Sequence, residues 1–178
     1  MQETKKKTKN KLILLTKSIN NKTTEKYFFK YAFPCAQVKI RRGTLTVEEY
    51  NNLRKLFLEN NPPDKETLEK IFPPAFKRIK KLADKMNKEV WDPEVIKEYW
   101  TKEHNRLIDN KDGMYAEASE TLKDLCKIHE AEVIEKKANK LLVKYDDKKR
   151  AVFNFLIPDI NIRDKVTIHY AHAIEKVN

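Results

Sequence analysis

In the first two-thirds of the chain, apolar residues recur at intervals of three and four, the spacing of one face of an α-helix. The first such stretch, residues 11–31, stops before Pro34, because the residue that precedes a proline disfavours helical backbone. Thr46 and Glu49 have the spacing of a capping box, which satisfies free N–H groups at the start of a helix. The pattern therefore predicts one or two short helices, a turn at 34–43, and another helix after Thr46.

Further helix signals follow in the same region. Asp64 can cap the next helix, which the two prolines at 73–74 must break or kink because proline has no N–H to donate. Asp92 before Pro93 marks a strong helix start, with an acidic cap and a proline at the first helical position. Gly113 ends that helix, and a short helical piece follows it. This part of the chain is predicted to be helical, with no internal repeat.

After Cys126 the pattern changes to short runs of β-branched and aromatic residues, which favour strands. The predicted strands are 132–136, 140–145, 150–156 and 165–172. Polar pairs between the runs favour hairpin turns, and Pro158 begins a longer link to the last run. Four or five short strands in such a segment bury a core only if the sheet curls and closes, as in a small barrel of OB-like type.

The two patterns together predict an α+β fold, in which a helical N-terminal domain is followed by a small OB-like β-barrel. The predicted segments are a basic flexible tail at 1–11, a helical domain at 12–123 and a barrel domain at 124–178. Five of the first eleven residues are lysine, and a terminal run of this kind is expected to be mobile.

The composition and charge of the chain exclude several classes of function. Charged residues make up 37% of the chain and the net charge is +11, so an acidic partner has to be considered. Two cysteines are too few for a disulfide scaffold, and no apolar stretch reaches the roughly 18 residues of a membrane span. Two glycines leave no glycine-rich phosphate loop. Glu98, Glu103 and His104 lack the spacing of a di-iron motif and are interpreted as a solvated helix face. We therefore expect a cytoplasmic protein that has free thiols, is not an enzyme and binds no membrane.

Three stretches of the C-terminal segment match sequence motifs that occur in the same order in a known protein family. Val133 stands seven residues after Cys126, residues 156–160 read LIPDI, and residues 164–176 read DKVTIHYAHAIEK. The last stretch, with its Ala-Ile-Glu-Lys ending, is the most specific of the three. In these features the segment resembles the HypC/HupF family of hydrogenase-assembly chaperones.

The resemblance implies a function and a set of site residues. In the family, a cysteine and the closing-strand histidine are held to contact the iron of a cyanide- and carbonyl-bearing group. That group passes between a hydrogenase maturation protein and the hydrogenase large-subunit precursor. By position the two residues are Cys126 and His169, and a thiolate with an imidazole is a good donor pair for iron. The implied partner-binding residues are Cys126, Ile128 and His169. The resemblance thus implies a non-enzymatic accessory protein of [NiFe]-hydrogenase maturation, with a transiently bound iron centre and no other cofactor.

The chain also departs from the family pattern. The family cysteine becomes the mature N-terminus, whereas a long helical segment precedes Cys126 here, so no free α-amino group can act beside it. Glu130 and Ala131 stand where the family has a Pro-Gly pair. The N-terminal half has a weaker similarity of its own, at 31–34 and 92–100, to uncharacterised proteins in which a helical domain precedes a HypC-like domain. No biochemical role carries over from them.

Structural interpretations of the same residues stay open. His169 also fits a hydrogen-bonded histidine in a barrel wall, and Cys126 fits a small buried side chain. His129 lies three residues after Cys126, and positions three apart on a strand face opposite sides. His172 has the same relation to His169. A four-ligand zinc cage is therefore disfavoured, His129 and His172 are weaker metal candidates, and His172 is expected at the surface. Cys35 is expected to be structural.

A basic chain that ends in an OB-like barrel also fits nucleic-acid binding, which is the alternative function. Such barrels stack bases on aromatic side chains within a positive groove. The aromatic candidates are Tyr145, Phe153, Phe155 and Tyr170. Aspartates lie among the lysines of this segment and weigh against the alternative. Binding to a phosphate backbone would weaken steeply with salt, which separates the two hypotheses.

Overall fold

Residues 23–177 are described by the computed structural model, and in them the helices precede the strands. The first helix, α1, includes residues 23–32. The helices that follow are α2 (Ala36–Arg41), α3 (Val47–Leu58), α4 (Lys65–Ile71), α5 (Pro73–Met86), α6 (Pro93–Glu98), α7 (His104–Asp109) and α8 (Glu120–Cys126). A 3₁₀ turn at Phe33–Cys35 joins α1 to α2, and a π-helical turn at Tyr99–Glu103 joins α6 to α7. A second 3₁₀ turn, Gly113–Ala116, precedes α8.

The predicted tail at 1–11 and the beginning of the first predicted helix lie outside the described residues. Among the helices of residues 23–177, none is both long enough and apolar enough to cross a membrane.

The predicted helix starts are confirmed by their caps. Thr46 Oγ1 accepts from the Glu49 N–H at 3.1 Å, and the Glu49 carboxylate accepts from the Thr46 N–H at 2.8 Å, which completes the capping box. Asp64 accepts from the Thr67 N–H at 2.8 Å, and Asp92 caps α6 in the same way. These short-range bonds depend only on neighbouring residues, so local spacing was sufficient to predict them.

The prediction of a turn at 34–43 is wrong, because most of this stretch is helical. Pro34 lies in the first turn of the 3₁₀ segment, where the N–H that proline lacks would have no helical partner in any case. The proline therefore lets the chain re-enter a helix rather than ending it. Phe33 and Ala36 are buried in the core and hold this segment in place.

Five strands close into the barrel. They are β1 (Ile128–Lys137), β2 (Lys140–Tyr145), β3 (Lys148–Phe153), β4 (Lys165–His169) and β5 (His172–Val177). Their order around the barrel is β1-β2-β3-β5-β4, with β1 pairing back onto β4. All neighbours are antiparallel except β3 and β5, which are parallel through Phe153 and His172. The predicted α+β fold with an OB-like barrel is thus confirmed.

The last predicted strand, 165–172, is in fact two strands. Tyr170 has a positive φ of 53° and forms a tight turn between β4 and β5. His169 and His172 are therefore register partners on adjacent strands, not two positions on one strand. The rule that positions three apart face opposite sides does not apply to them. The expected surface position of His172 is wrong, because its side chain is buried with 8% exposed.

The helices and the barrel share buried contacts. Ile174 of β5 belongs to the same apolar cluster as the helical core. The Tyr31 hydroxyl of α1 donates to the Glu175 carboxylate and lies 3.2 Å from Thr167 Oγ1, and Lys30 pairs with the same carboxylate. As a consequence, α1 lies directly against β4 and β5.

Candidate functional site at the junction of helices and barrel

Cys126 and His169, the two residues singled out by the sequence, lie at the same end of the barrel. Cys126 is the last residue of α8, just before β1 begins. β1 pairs with β4 so that Ile128 is opposite His169, and the Tyr170 N–H donates to the Leu125 carbonyl at 3.0 Å. Strand pairing therefore brings together two residues that are far apart in the sequence.

The His169 ring is completely buried, and both of its nitrogens have neighbours. Nδ1 lies 2.7 Å from the Tyr31 carbonyl oxygen, which can only accept, so Nδ1 carries the proton and donates. Nε2 then holds the lone pair, and the Cys35 thiol lies 3.4 Å from it as the donor. Burial, together with the neighbouring His104, lowers the pKa of His169 to about 3. The imidazole is therefore neutral.

Cys35 and His104 are members of this cluster that the sequence interpretation missed. His104 Nε2 donates to the Cys126 carbonyl at 3.0 Å, and its ring centre lies 5.3 Å from that of His169. Burial lowers the pKa of His104 to about 4. A signal existed for His104, since it follows Trp100 by four residues and so belongs to the buried stripe of that helix. No local signal indicated that Cys35 would contact His169.

Both thiols are protonated at neutral pH. Cys126 is 2% exposed, and burial raises the pKa of its thiol to about 11, although Arg150 and Arg42 act in the opposite direction. Burial also raises the pKa of the Cys35 thiol, and the nearby Cys126 adds to the rise. Because a metal binds the thiolate, each cysteine must lose a proton before it can act as a ligand.

A cavity of about 490 Å³ adjoins the cluster on its helical side. Cys35, Cys126 and His104 all line it, and Cys35 therefore contacts both the cavity and His169. Aromatic side chains form much of the remaining wall, namely Phe72, Tyr99, Trp100 and Tyr115. A small molecule in the cavity can therefore reach Cys35, Cys126 and His104, whereas His169 lies behind Cys35 and is completely buried.

The remaining predicted site residues lie elsewhere. The His129 ring packs on Tyr145, and its Nε2 donates to the Asp124 carbonyl at 2.9 Å. The His172 ring is surrounded by the side chains of Phe33, Phe57 and Phe153. Ile128 is half-buried, and its backbone N–H and carbonyl both bond to the Asn105 side chain. The structure does not bring these three residues to the cavity.

The metal-binding potential of the cluster is limited to a few donors. Within residues 23–177, no group of three or more His, Cys, Asp or Glu side chains is arranged to hold a metal ion. The lone pair of His169 Nε2 accepts from the Cys35 thiol, so these two atoms become a donor pair for a metal once that thiol loses its proton. A bare metal ion would need additional ligands, whereas a metal centre that brings its own ligands would not.

Comparisons with known proteins add no assignment. No model of a protein family matches the chain, and no curated protein sequence matches it.

Proposed function

We propose that this chain is a non-enzymatic accessory protein of [NiFe]-hydrogenase maturation that binds an iron centre as cargo and a maturation protein or large-subunit precursor as partner. One observation carries the proposal. The cysteine and the closing-strand histidine implied by the resemblance to the HypC/HupF family, Cys126 and His169, lie at the same end of an OB-like barrel.

His169 has the hydrogen bonding of a histidine whose ring is oriented to bind a metal. A metal-binding histidine commonly donates its other ring N–H to a carbonyl, which fixes the tautomer and the ring orientation. The bond from Nδ1 to the Tyr31 carbonyl would have this role, and Nε2 could bind iron after the Cys35 thiol that bonds to it has lost its proton. Cys35 would be the nearest thiolate, and Cys126 would lie beside it at the cavity wall. Iron binding in this scheme releases thiol protons and therefore strengthens as the pH rises.

The helices limit how a partner protein reaches the site. Cys126 is 2% exposed and His169 is not exposed at all, because α1 and the 3₁₀ turn after it lie over the barrel end. The cavity offers a route for a small cargo without any unfolding. We propose that the cargo enters through the cavity while the partner protein docks on the outside.

The test is anaerobic affinity purification of the tagged, full-length protein from its own cells, followed by an iron assay and identification of bound proteins. The variants are Cys35→Ala, Cys126→Ala and His169→Gln, with His129→Gln as the matched control because His129 lies away from the cavity. Circular dichroism of each variant verifies folding. We expect iron and a hydrogenase-maturation partner with the wild type and the control, and a loss of iron in the three site variants. Recovery of the same proteins without iron from every variant would contradict the proposal.

Nucleic-acid binding is the second candidate, and the outer face of the barrel favours it. Lys140, Lys144 and Lys149 are exposed on β2 and β3, next to the half-buried Phe153. Lys140 lies with its Nζ 5.7 Å from the centre of the Phe153 ring. A base could stack on this aromatic ring while the lysines neutralise phosphates. Co-purified nucleic acid that leaves as salt increases, and is reduced by Lys140→Gln with Lys149→Gln, would favour this function over the first.

A further inference from the structure

The aromatic cavity beside Cys35 and Cys126 has a charge pattern that the proposed function does not use. Lys39 of α2 and Arg42, which follows α2, both line it. Within residues 23–177, neither side chain has a carboxylate at ion-pair distance. Lys39 Nζ instead lies 5.9 Å from the centre of the Phe72 ring, and the Arg42 guanidinium contacts the Met114 sulfur at 3.5 Å.

Two other cations of the cavity wall are already paired. Arg78 is bound to Asp112, and Lys70 to Glu66 on the helix surface. The one carboxylate of the wall, Glu49, accepts bonds from the neutral Thr46 in the capping box of α3 and keeps its negative charge. Lys39 and Arg42 together outweigh Glu49, so the cavity wall has a net positive charge.

Burial makes the positive charge of Lys39 costly without a ligand, whereas Arg42 is exposed to solvent. Lys39 is half-buried, and burial lowers the pKa of its ammonium group from the ordinary value. Desolvating a cation without a counter-ion is unfavourable, and a bound anion offsets that cost. The arrangement therefore favours occupancy of the cavity by an anion.

Two residues of the cavity wall, Tyr99 and Trp100, lie in the π-helical turn Tyr99–Glu103. Single π turns are frequent at functional sites.

We propose that this cavity is a binding site for a small organic anion with an apolar body, of the aromatic or aliphatic carboxylate class. The apolar body would pack on Phe72 and Tyr115, and the charge would face Lys39 and Arg42. The volume of about 490 Å³ is within the range of small-molecule sites. The inference does not depend on iron binding, because it uses neither thiolate nor His169.

The first test is calorimetric titration of the full-length protein with 2-naphthoate and with 2-naphthamide, which have nearly the same shape and differ in charge. We expect naphthoate to bind about tenfold more tightly than the amide, and Lys39→Gln or Arg42→Gln to remove most of that difference. Lys97→Gln is the matched control, since Lys97 is exposed on α6 and does not line the cavity. Equal affinity for the acid and the amide, or no binding of either at millimolar concentration, would overturn the proposal.

The second test locates the probe with methyl-labelled methionine and nuclear magnetic resonance. Met114 lines the cavity, whereas Met86, at the end of α5, does not. Naphthoate should shift the Met114 methyl signal and leave that of Met86 in place. A shift at Met86 alone, or at neither, would overturn the proposed location. Iron content plays no part in either experiment, so these results are distinguishable from a failure of the maturation hypothesis.

Discussion

Three buried histidines illustrate how burial controls the chemistry of single residues. Burial lowers the pKa of His104 and of His172 to about 4, and that of His169 to about 3. His104 and His169 each bond to a backbone carbonyl, which compensates for the loss of water. His172 is different, since its Nδ1 is buried without a partner among the described residues and its ring contacts phenylalanines.

The first prediction concerns the dependence of stability on pH. In the unfolded chain a histidine has a pKa of about 6.5, so between that value and the folded value the unfolded state binds more protons. The stabilisation is therefore complete above about pH 6.5 and is lost as the pH falls toward 4. We expect the free energy of unfolding to fall by roughly 2 kcal/mol per buried histidine between about pH 7.5 and pH 5. Urea unfolding at both pH values measures this, and an unchanged free energy would contradict it.

The second prediction compares two histidine substitutions. His172→Phe removes a buried polar atom that lacks a partner, so at about pH 7.5 the stability should stay within about 1 kcal/mol of the wild type. At about pH 5 the variant should be more stable than the wild type. In the wild type, His172 is protonated in the unfolded chain at this pH and must lose that proton when the protein folds, whereas phenylalanine has no proton to lose. His104→Phe is the matched comparison and should lose about 1–3 kcal/mol at the higher pH, since the Cys126 carbonyl loses its donor. Equal losses in both variants would be inconsistent with the different roles of the two rings.

At the scale of elements, one carboxylate of α8 makes three side-chain hydrogen bonds to the barrel. Asp124 accepts from the Tyr145 hydroxyl at 2.8 Å, from Lys148 at 2.7 Å and from Arg150 at 2.8 Å. These donors belong to β2 and β3. The position of Cys126, two residues further along α8, therefore depends on Asp124.

The third prediction is that Asp124→Asn destabilises the protein by about 2 kcal/mol, because the largely buried Arg150 loses its counter-ion. Glu66→Gln on α4 is the control. Glu66 and its partner Lys70 are both highly exposed, so its loss should change the stability by less than about 0.5 kcal/mol. Chemical denaturation of both variants measures the difference, and similar stabilities would show that the Asp124 contacts do not fix α8.

Elements differed in how far the sequence could predict them. β2 was predicted with its observed bounds, Lys140–Tyr145, because alternation and flanking turns mark a strand locally. The π turn at Tyr99–Glu103 was not predicted, since one extra residue in a turn hardly alters the apolar spacing. The turn at Tyr170 was not predicted either, because turns that need positive φ are usually identified by glycine or asparagine and this one has neither.

At the scale of the whole molecule, the helical part and the barrel are not independent in their packing. Ile174 lies in the helical core, His169 bonds to the Tyr31 carbonyl, and Glu175 binds Tyr31. Separating the two parts would expose apolar surface and leave these polar groups without partners.

The fourth prediction is that both parts unfold in one transition. Trp91 packs on Phe28 and Phe76 of the helical part, whereas Trp100 also contacts His169 of β4. The fluorescence of Trp91 in a Trp100→Phe variant therefore reports on the helical part. Hydrogen exchange of the β2 and β3 amides reports on the barrel. The two probes should give the same midpoint in urea, as expected for a cooperative unit. Two separate midpoints would mean that the barrel is an independent domain.

The sequence by itself determined the helix caps, the change from helical to strand pattern near Cys126, and the α+β fold with its closed barrel. It also singled out Cys126 and His169. Each of these depends on residues a few positions apart, or on a pattern that one segment contains. Only the tertiary structure decided that Cys35 contacts His169, that His104 is buried beside them, and that a cavity with positive charge adjoins both thiols. Those features arise where distant elements pack together, and local periodicity carries no information about which distant side chains will meet.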